Sequence, residues 1–485
     1  MTDEILNGKP YAGNPHVRFD EGEVASAEKP RRGSLLYKKA AWALTLSLVA
    51  AAVHATPAPV NASSFGFDPA DATRCLQAAI DSGAAKVVVD RQASDWIVRP
   101  IRLRSGQEVV FAQDVVVRAM PGAFTNRSDS LFLAENVRDV VLRGEGRAVL
   151  KMRKADYDDK ARYVHSEWRH VLTLRRARNV RVLDLALESS GGDGIYVDKC
   201  ENVSVERVLA RDNYRQGMSV ICVKGLVVRD SRFCDTSGAS SGPWAGIDFE
   251  PNEPGESITG VLVENCEFTG NRGGGFGANL SRLTSNSKPV DITVRNCRIY
   301  GNRVRGVGIA ASHSSPVGGR IAFENCSVAG GESHVLGIVG KSAGELVVSF
   351  RDCTFDGRGC AAGAAISFKN MRFQTFGAVH FERSRVFLGE GQRALDYVAL
   401  PENGMADVTG TLAVTRADGA RDELSLEDFA AKRPPDPVLK AFHPRRGEIA
   451  SLRPVNPDAK RKPRSGYMWF RDLFSFAQYV PAAGE

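Results

Sequence analysis

Aromatic side chains are scarce, at 8% of the sequence, while glycine is abundant at 47 residues. That balance fits a chain of many turns and few large rings. There is no CxxC pair and no Cys/His spacing of the tetrahedral kind, which leaves a zinc site without support. Basic and aromatic residues do not interleave along the apolar segments, so nucleic acid is not an expected partner. The net charge of +7 is modest, and much of it sits in the N-terminal leader and in the Lys432–Arg464 stretch. The apolar run Ala40–Val53 is too short to span a bilayer comfortably. Clustered aspartates of the calcium-binding nonapeptide kind are absent too, as is helical periodicity through the middle of the chain.

What the middle contains is one unit repeated. Each copy begins at a small residue, runs a short alternating strand, turns, and runs a second strand of the form V-x-V-x-[ND]. The copies begin at Gly194, Gly217, Gly246, Gly275, Gly306, Val335 and Ala364, at intervals of 23, 29, 29, 31, 29 and 29 residues. The second strands align as well. They set Asp230, Asn265, Asn296, Asn325 and Asp352 in one column, and Ser231, Cys266, Cys297, Cys326 and Cys353 in the next. A period in this range, with two to three β-branched strands per copy, predicts an all-β solenoid, a parallel β-helix. Stacked Asn and Asp side chains at a bend can bond to neighbours above and below, and small Cys side chains fill a tight corner.

The chain has nine cysteines. In an exported protein the first thought is to pair them. Four of them occupy equivalent places one coil apart, about 4.8 Å per rung, with parallel side chains. That geometry suits a packed column of free thiols better than disulfides.

Read in order, residues 1–37 form a polar leader expected to be disordered. Residues 38–55 pair Lys38-Lys39 with the apolar run and the small-residue exit Val53-His54-Ala55, the pattern of a secretory signal peptide. The expected location is therefore secreted, periplasmic or cell-surface, with no stable membrane insertion after cleavage. Residues 56–66 read as a linker. A helix begins at Asp68-Pro69, with Asp68 or Asp71 as its cap and Cys75, Leu76, Ala79 and Ile80 on one face. Such a helix covers the open end of a solenoid. Lys151–His170 interrupts the rungs with a charged insert carrying Tyr157, Tyr163, His165, Trp168 and His170. A long insert from a rigid solenoid usually sits over a binding face. The solenoid is expected over residues 67–400, and residues 401–485 as a C-terminal extension packed back onto it.

The segment DATRCLQAAIDSGAAKVVVD followed by β rungs resembles the entry of the pectin-lyase-fold superfamily, and GGDGIYV, DNYRQGMSV and AGIDFEPN resemble phrases of secreted bacterial β-helix proteins of that kind. The resemblance spans roughly Phe67 to residue 400. It implies a right-handed parallel β-helix with a capping helix, and a polysaccharide as partner. It leaves the activity open, since the superfamily includes lyases, hydrolases, uronate epimerases, tailspikes and adhesins.

Strand alternation then nominates residues. In AGIDFEPN, Ile247 and Phe249 point inward, so Asp248 and Glu250 point outward on one face, about 6–7 Å apart. Neighbouring coils add Asp193, Tyr196, Asp198, Arg215, Gln216 and Asn279, with Ser219 at the place of Asp248 one coil earlier. The expected result is an exposed polar strip suited to a carbohydrate chain. Hydrolysis of a glycosidic bond needs one carboxylic acid and one carboxylate. Asp248 with Glu250 or with Asp193 supplies such a pair. A lyase or epimerase would instead use Arg215, Arg169, Tyr163, His165 or His170 around a uronate, with the acidic strip holding Ca²⁺. A non-catalytic sugar binder is the third reading. Carboxylates dominate the strip and no Lys lies in it, which favours the hydrolase. The oligomeric state is not legible.

Overall fold

The computed structural model describes residues 58–431, apart from 239–241, 312–314, 371–374 and 400–402. The leader, the signal segment and the Lys432–Glu485 tail lie outside the described residues. Among those described, no helix is long and apolar enough to cross a membrane.

Successive coils stack in parallel. On one face, 11 strands pair in order along the axis. Inward residues there follow one another coil by coil: Leu172, Ile195, Met218, Ile247, Phe276, Val307, Leu336, Ile366 and Leu395. The six coils from Ile195 to Leu336 each sit one residue past an expected start. The last start falls at Ala365 rather than Ala364, because the coil between Leu336 and Ile366 holds one residue more than the sequence alignment allowed. The remaining strands of each coil join a second, 24-stranded sheet.

Glycine begins the regular coils for a steric reason. A Cβ on Gly194, Gly217 or Gly246 would lie 2.5–2.7 Å from the carbonyl oxygen of the glycine one coil on. No other residue lets the backbones approach this closely at that corner.

The two side-chain columns form at the opposite bend. Asp230, Asn265, Asn296, Asn325 and Asp352 all have φ between 50° and 55°. Asn and Asp tolerate this left-handed region better than other non-glycine residues. Their amides run up the stack: Asn265 Nδ2 donates to Asp230 Oδ1 at 3.0 Å, Asn296 to Asn265 at 3.3 Å, and Asn325 to Asn296 at 2.9 Å. Beside them Cys266, Cys297, Cys326 and Cys353 are buried, and all nine cysteines are free thiols. Inside, stacked phenylalanines continue the repeat, with Phe323, Phe350 and Phe381 at 5.1 and 4.9 Å between successive centroids.

The capping helix spans Thr73–Asp81 and buries Cys75, Leu76, Ala79 and Ile80. It starts later than Asp68-Pro69. Asp68 Oδ1 accepts the Ala70 N–H and Asp71 Oδ1 the Thr73 N–H, each a side chain bonding two residues on. Such local turns compete with helix. Ahead of it, Val60–Asn61, inside the expected linker, pairs with the strand Lys86–Val89. At the far end parallel pairing runs on past residue 400. Met405–Thr415 lies parallel to Phe376–Phe387, and Arg421–Ser425 then turns back antiparallel on it.

Candidate functional site

The insert closes over one end of the outward strip. A 3₁₀ turn over Lys154–Asp158 carries Tyr157, whose ring meets Tyr163 edge-on at 5.2 Å. The Arg169 guanidinium lies over both rings and donates to the carbonyls of Phe124 and Val164 at 2.8 and 2.9 Å. Lys154 Nζ reaches Asp212 at 2.7 Å, and Tyr214 Oη donates to Asp158 at 2.8 Å. These anchors hold the insert against Gly191 and Gly192. A Cβ on Gly191 would sit 2.4 Å from the Tyr157 ring, and one on Gly192 2.6 Å from the Glu167 carbonyl.

Asp193 follows directly on this glycine pair and is 0% exposed. Its backbone N–H donates to His170 Nδ1 at 2.9 Å. Its Oδ2 lies 2.7 Å from Ser219 Oγ and 3.5 Å from Arg215 Nη1. Arg215 Nη2 holds Glu250 Oε2 at 2.7 Å. Ser219 Oγ also meets Gln216 Oε1, and Gln216 Nε2 donates to Asp248 Oδ2 at 3.0 Å. Asp248 is 3% exposed. Three adjacent coils thus contribute a linked set: Asp193, then Arg215, Gln216 and Ser219, then Asp248 and Glu250. Among the described residues, Oδ1 of Asp193 and Oδ1 of Asp248 are buried without a hydrogen-bond partner.

Burial sets the proton affinities. It pushes the Asp193 carboxyl up to about 7; Arg215 and the Ser219 contact pull against this, while Glu250 and Glu167 add to it. Asp248 is raised well above the usual carboxylate range, first by burial and then by Glu250. Burial, reinforced by Arg215 and Arg175, holds His170 well below its ordinary value. The ring is therefore neutral, in agreement with Nδ1 accepting the Asp193 N–H. The 3.3 Å approach of Nδ1 to Asp193 Oδ2 is not an ion pair. Burial also works against the charge of Arg215, but Asp193, Glu250, Asp248 and Glu167 outweigh it and its pKa is raised.

A cleft of about 390 Å³ is lined by His170 and Tyr196, which both neighbour Asp193, and by none of the six linked residues themselves. Thr173, Arg102, Arg175 and Trp168 also line it. The His170 and Tyr196 rings stack at 4.7 Å. Trp168 stands 52% exposed at the cleft wall.

The expected strip is corrected in one respect. Asp193, Arg215, Gln216 and Asp248 do face outward from the solenoid, but they are buried rather than exposed. Strand alternation reports only the face of the sheet, and the insert and the charged neighbours cover that face. Tyr196 and Asp198 are half-buried, with Asp198 Oδ2 3.7 Å from Arg175. Asn279, also half-buried, accepts the Ser281 N–H at 3.4 Å. Of the insert's candidates, His170 joins the set. Tyr163 is packed into the core against Tyr157 and Arg169, so it does not line the cleft, and His165 is exposed. Sequence reasoning put Ser219 in the column of Asp248 and Trp168 in the insert but gave neither a role, and it did not name Glu167. Among the described residues no group of three or more His, Cys, Asp or Glu side chains forms a metal site. The acids of the strip are engaged with Arg215, Gln216, Ser219 and Arg175, which does not fit a calcium cage.

Residues 242–384 match the family described as the right handed beta helix region. Among solved structures, an exopolygalacturonase from Thermotoga maritima is 14% identical, with a TM-score of 0.54 over 76% of this chain and 94% of its own. A tailspike protein of E. coli bacteriophage HK620, in complex with pentasaccharide, is 12% identical, with a TM-score of 0.52 over 74% of this chain and 67% of its own. No curated protein matches in sequence. At these identities the likeness is one of fold. The stacked coils, the capped end and these matches together make the chain a right-handed parallel β-helix with the fold of the pectin-lyase-fold superfamily.

Proposed function

We propose that this protein is an exported enzyme that hydrolyses glycosidic bonds in a polysaccharide. The observation that carries the reading is the buried carboxyl set, whose Asp193 neighbours the cleft residues His170 and Tyr196. Asp248 and Asp193 are held protonated to higher pH than ordinary carboxyls, while Glu250 lies in an ion pair with Arg215. A raised carboxyl is the acid that protonates a leaving oxygen, and a second carboxyl activates water or attacks. Asp193 and Asp248 stand two coils apart, about 9–10 Å of backbone rise. The exposed Trp168 beside the stacked His170 and Tyr196 supplies an apolar wall for a sugar ring. The polygalacturonase and the sugar-bound tailspike of the same fold support a carbohydrate as the partner. Export rests on the segment 38–55.

A lyase or epimerase is less well supported. Arg215 is locked between Asp193 and Glu250, and Tyr163 is in the core. A screen on neutral, uronic and sulfated polysaccharides tests the reading, following reducing ends and ultraviolet absorbance together. New reducing ends without absorbance, lost in Asp248→Asn, are the expected result. Absorbance rising with the reducing ends would mean elimination instead. Binding without cleavage, unchanged in Asp248→Asn, would mean a non-catalytic sugar binder.

A further inference from the structure

Ser219 and Gln216 join the two buried carboxyls through three consecutive contacts: Asp193 to Ser219, Ser219 to Gln216, and Gln216 to Asp248. The donors available along this chain can be counted. Ser219 has one hydroxyl hydrogen, and an amide presents N–H at one end and a carbonyl oxygen at the other. With Gln216 Nε2 toward Asp248, its Oε1 faces Ser219 and takes the hydroxyl hydrogen. Asp193 must then donate, so Asp193 carries a proton. With the amide turned over, Nε2 donates to Ser219, Ser219 donates to Asp193, and Asp248 must donate to Oε1. Either orientation of the amide, which hydrogen-bond partners alone decide, demands one proton on one of the two carboxyls. With none, two acceptors face each other in a buried place; a second proton finds no acceptor within the chain of contacts and would have to sit on the other carboxyl's Oδ1, which is buried without a hydrogen-bond partner.

We infer that Ser219 and Gln216 lock Asp193 and Asp248 into a pair that holds a single proton. Ser219 and Gln216 are positioning residues, acting through the carboxyls. The function follows from the count: one member of the pair is acid while the other is base, and the state that has both is stabilised against loss or gain of a proton. This deepens the hydrolase reading and rests on it for its use, although the lock itself needs no substrate. Other charged groups bear on the pair. Asp193 faces His170, Arg215, Glu250, Glu167 and Tyr196, and Asp248 faces Glu250, Arg215 and Arg305. None of these bridges the two carboxyls by hydrogen bonds through the intervening coil as Ser219 and Gln216 do.

The test is a pH titration of protein labelled with ¹³C at its aspartate carboxyls, with Asp193 and Asp248 assigned by substitution. The wild-type pair should lose its protons in two well-separated steps, with a summed occupancy of one proton between them. Ser219→Ala and Gln216→Leu should each draw the two midpoints together by about one pH unit, a tenfold change in proton affinity per step. Ser219→Thr keeps the hydroxyl and should restore the separation. Two ionised carboxyls in the wild type at pH 6, or a separation unchanged in both variants, would overturn the lock. Should a variant fail to fold, the wild-type occupancy still decides. A confirmed lock in a protein that cleaves no polysaccharide would remove the hydrolase reading and leave the lock standing.

Discussion

Asp193 donates its backbone N–H to Nδ1 of His170 at 2.9 Å, across 23 residues of chain. This bond ties the insert to the first strand of the carboxyl set. It fixes the neutral form of the ring, and it seats the insert over a carboxyl that a bare solenoid strand would leave in water.

The first prediction concerns pH. The Asp193 carboxyl is raised from 3.8 to about 7 in the folded protein, so folding favours its protonated form. Its contribution to stability is fully present below pH 3.8 and is lost as pH rises to about 7. The loss is on the order of 4 kcal/mol at about 1.4 kcal/mol per pH unit. Asp193→Asn removes this titration. Urea melts from pH 4 to 8 should show the variant with a flatter profile and a gain over wild type that grows toward pH 8.

A second prediction tests the corner glycines. In Gly246→Ala the new methyl would lie 2.7 Å from the Gly275 carbonyl oxygen and 2.8 Å from Cδ1 of Phe268. Backbone in the middle of a stack cannot retreat without disturbing its neighbours. The variant should lose about 1–3 kcal/mol, read from the urea midpoint.

The thiol column makes a third. Cys266, Cys297, Cys326 and Cys353 are at most 2% exposed. A maleimide tag should leave these four unmodified in the native protein. In urea all nine thiols should react, equally with and without reductant. A requirement for reductant would mean disulfides, contrary to the packed column.

Trp168 provides a fourth. It stands exposed at the cleft, away from the carboxyls. On a polysaccharide that the protein cleaves, Trp168→Ala should raise KM about tenfold, the worth of one stacking contact, with kcat little changed. A fall in kcat with KM unaltered would place the residue in the chemistry instead.

Much of the fold was legible because a solenoid repeats its own constraints. Gly194, Gly217 and Gly246 each meet the next coil's carbonyl, so the same residue recurs. The αL bend favours Asn or Asp, as at Asn265, Asn296 and Asn325, although Arg207 and Arg383 also take it, and the corner beside it takes Cys. These demands are local, one coil against the next, and a period in the sequence reveals them. The outward direction of Asp248 was legible for a similar reason, from alternation along a single strand between the inward Ile247 and Phe249.

Burial was not. Whether an outward side chain meets water depends on what lies over the sheet, and at Asp193 that is a non-repeating insert pinned by Arg169, Lys154 and His170 to residues 23 to 83 positions away. Periodicity carries no information about such a segment. The sequence by itself determined the coil, its spacing, its inward core and the face on which the carboxyls stand. Only the tertiary structure decided that Asp193 and Asp248 are removed from water and joined through Ser219 and Gln216. A proton's affinity for a carboxyl depends on the dielectric and charges around it, and those come from chain distant in sequence.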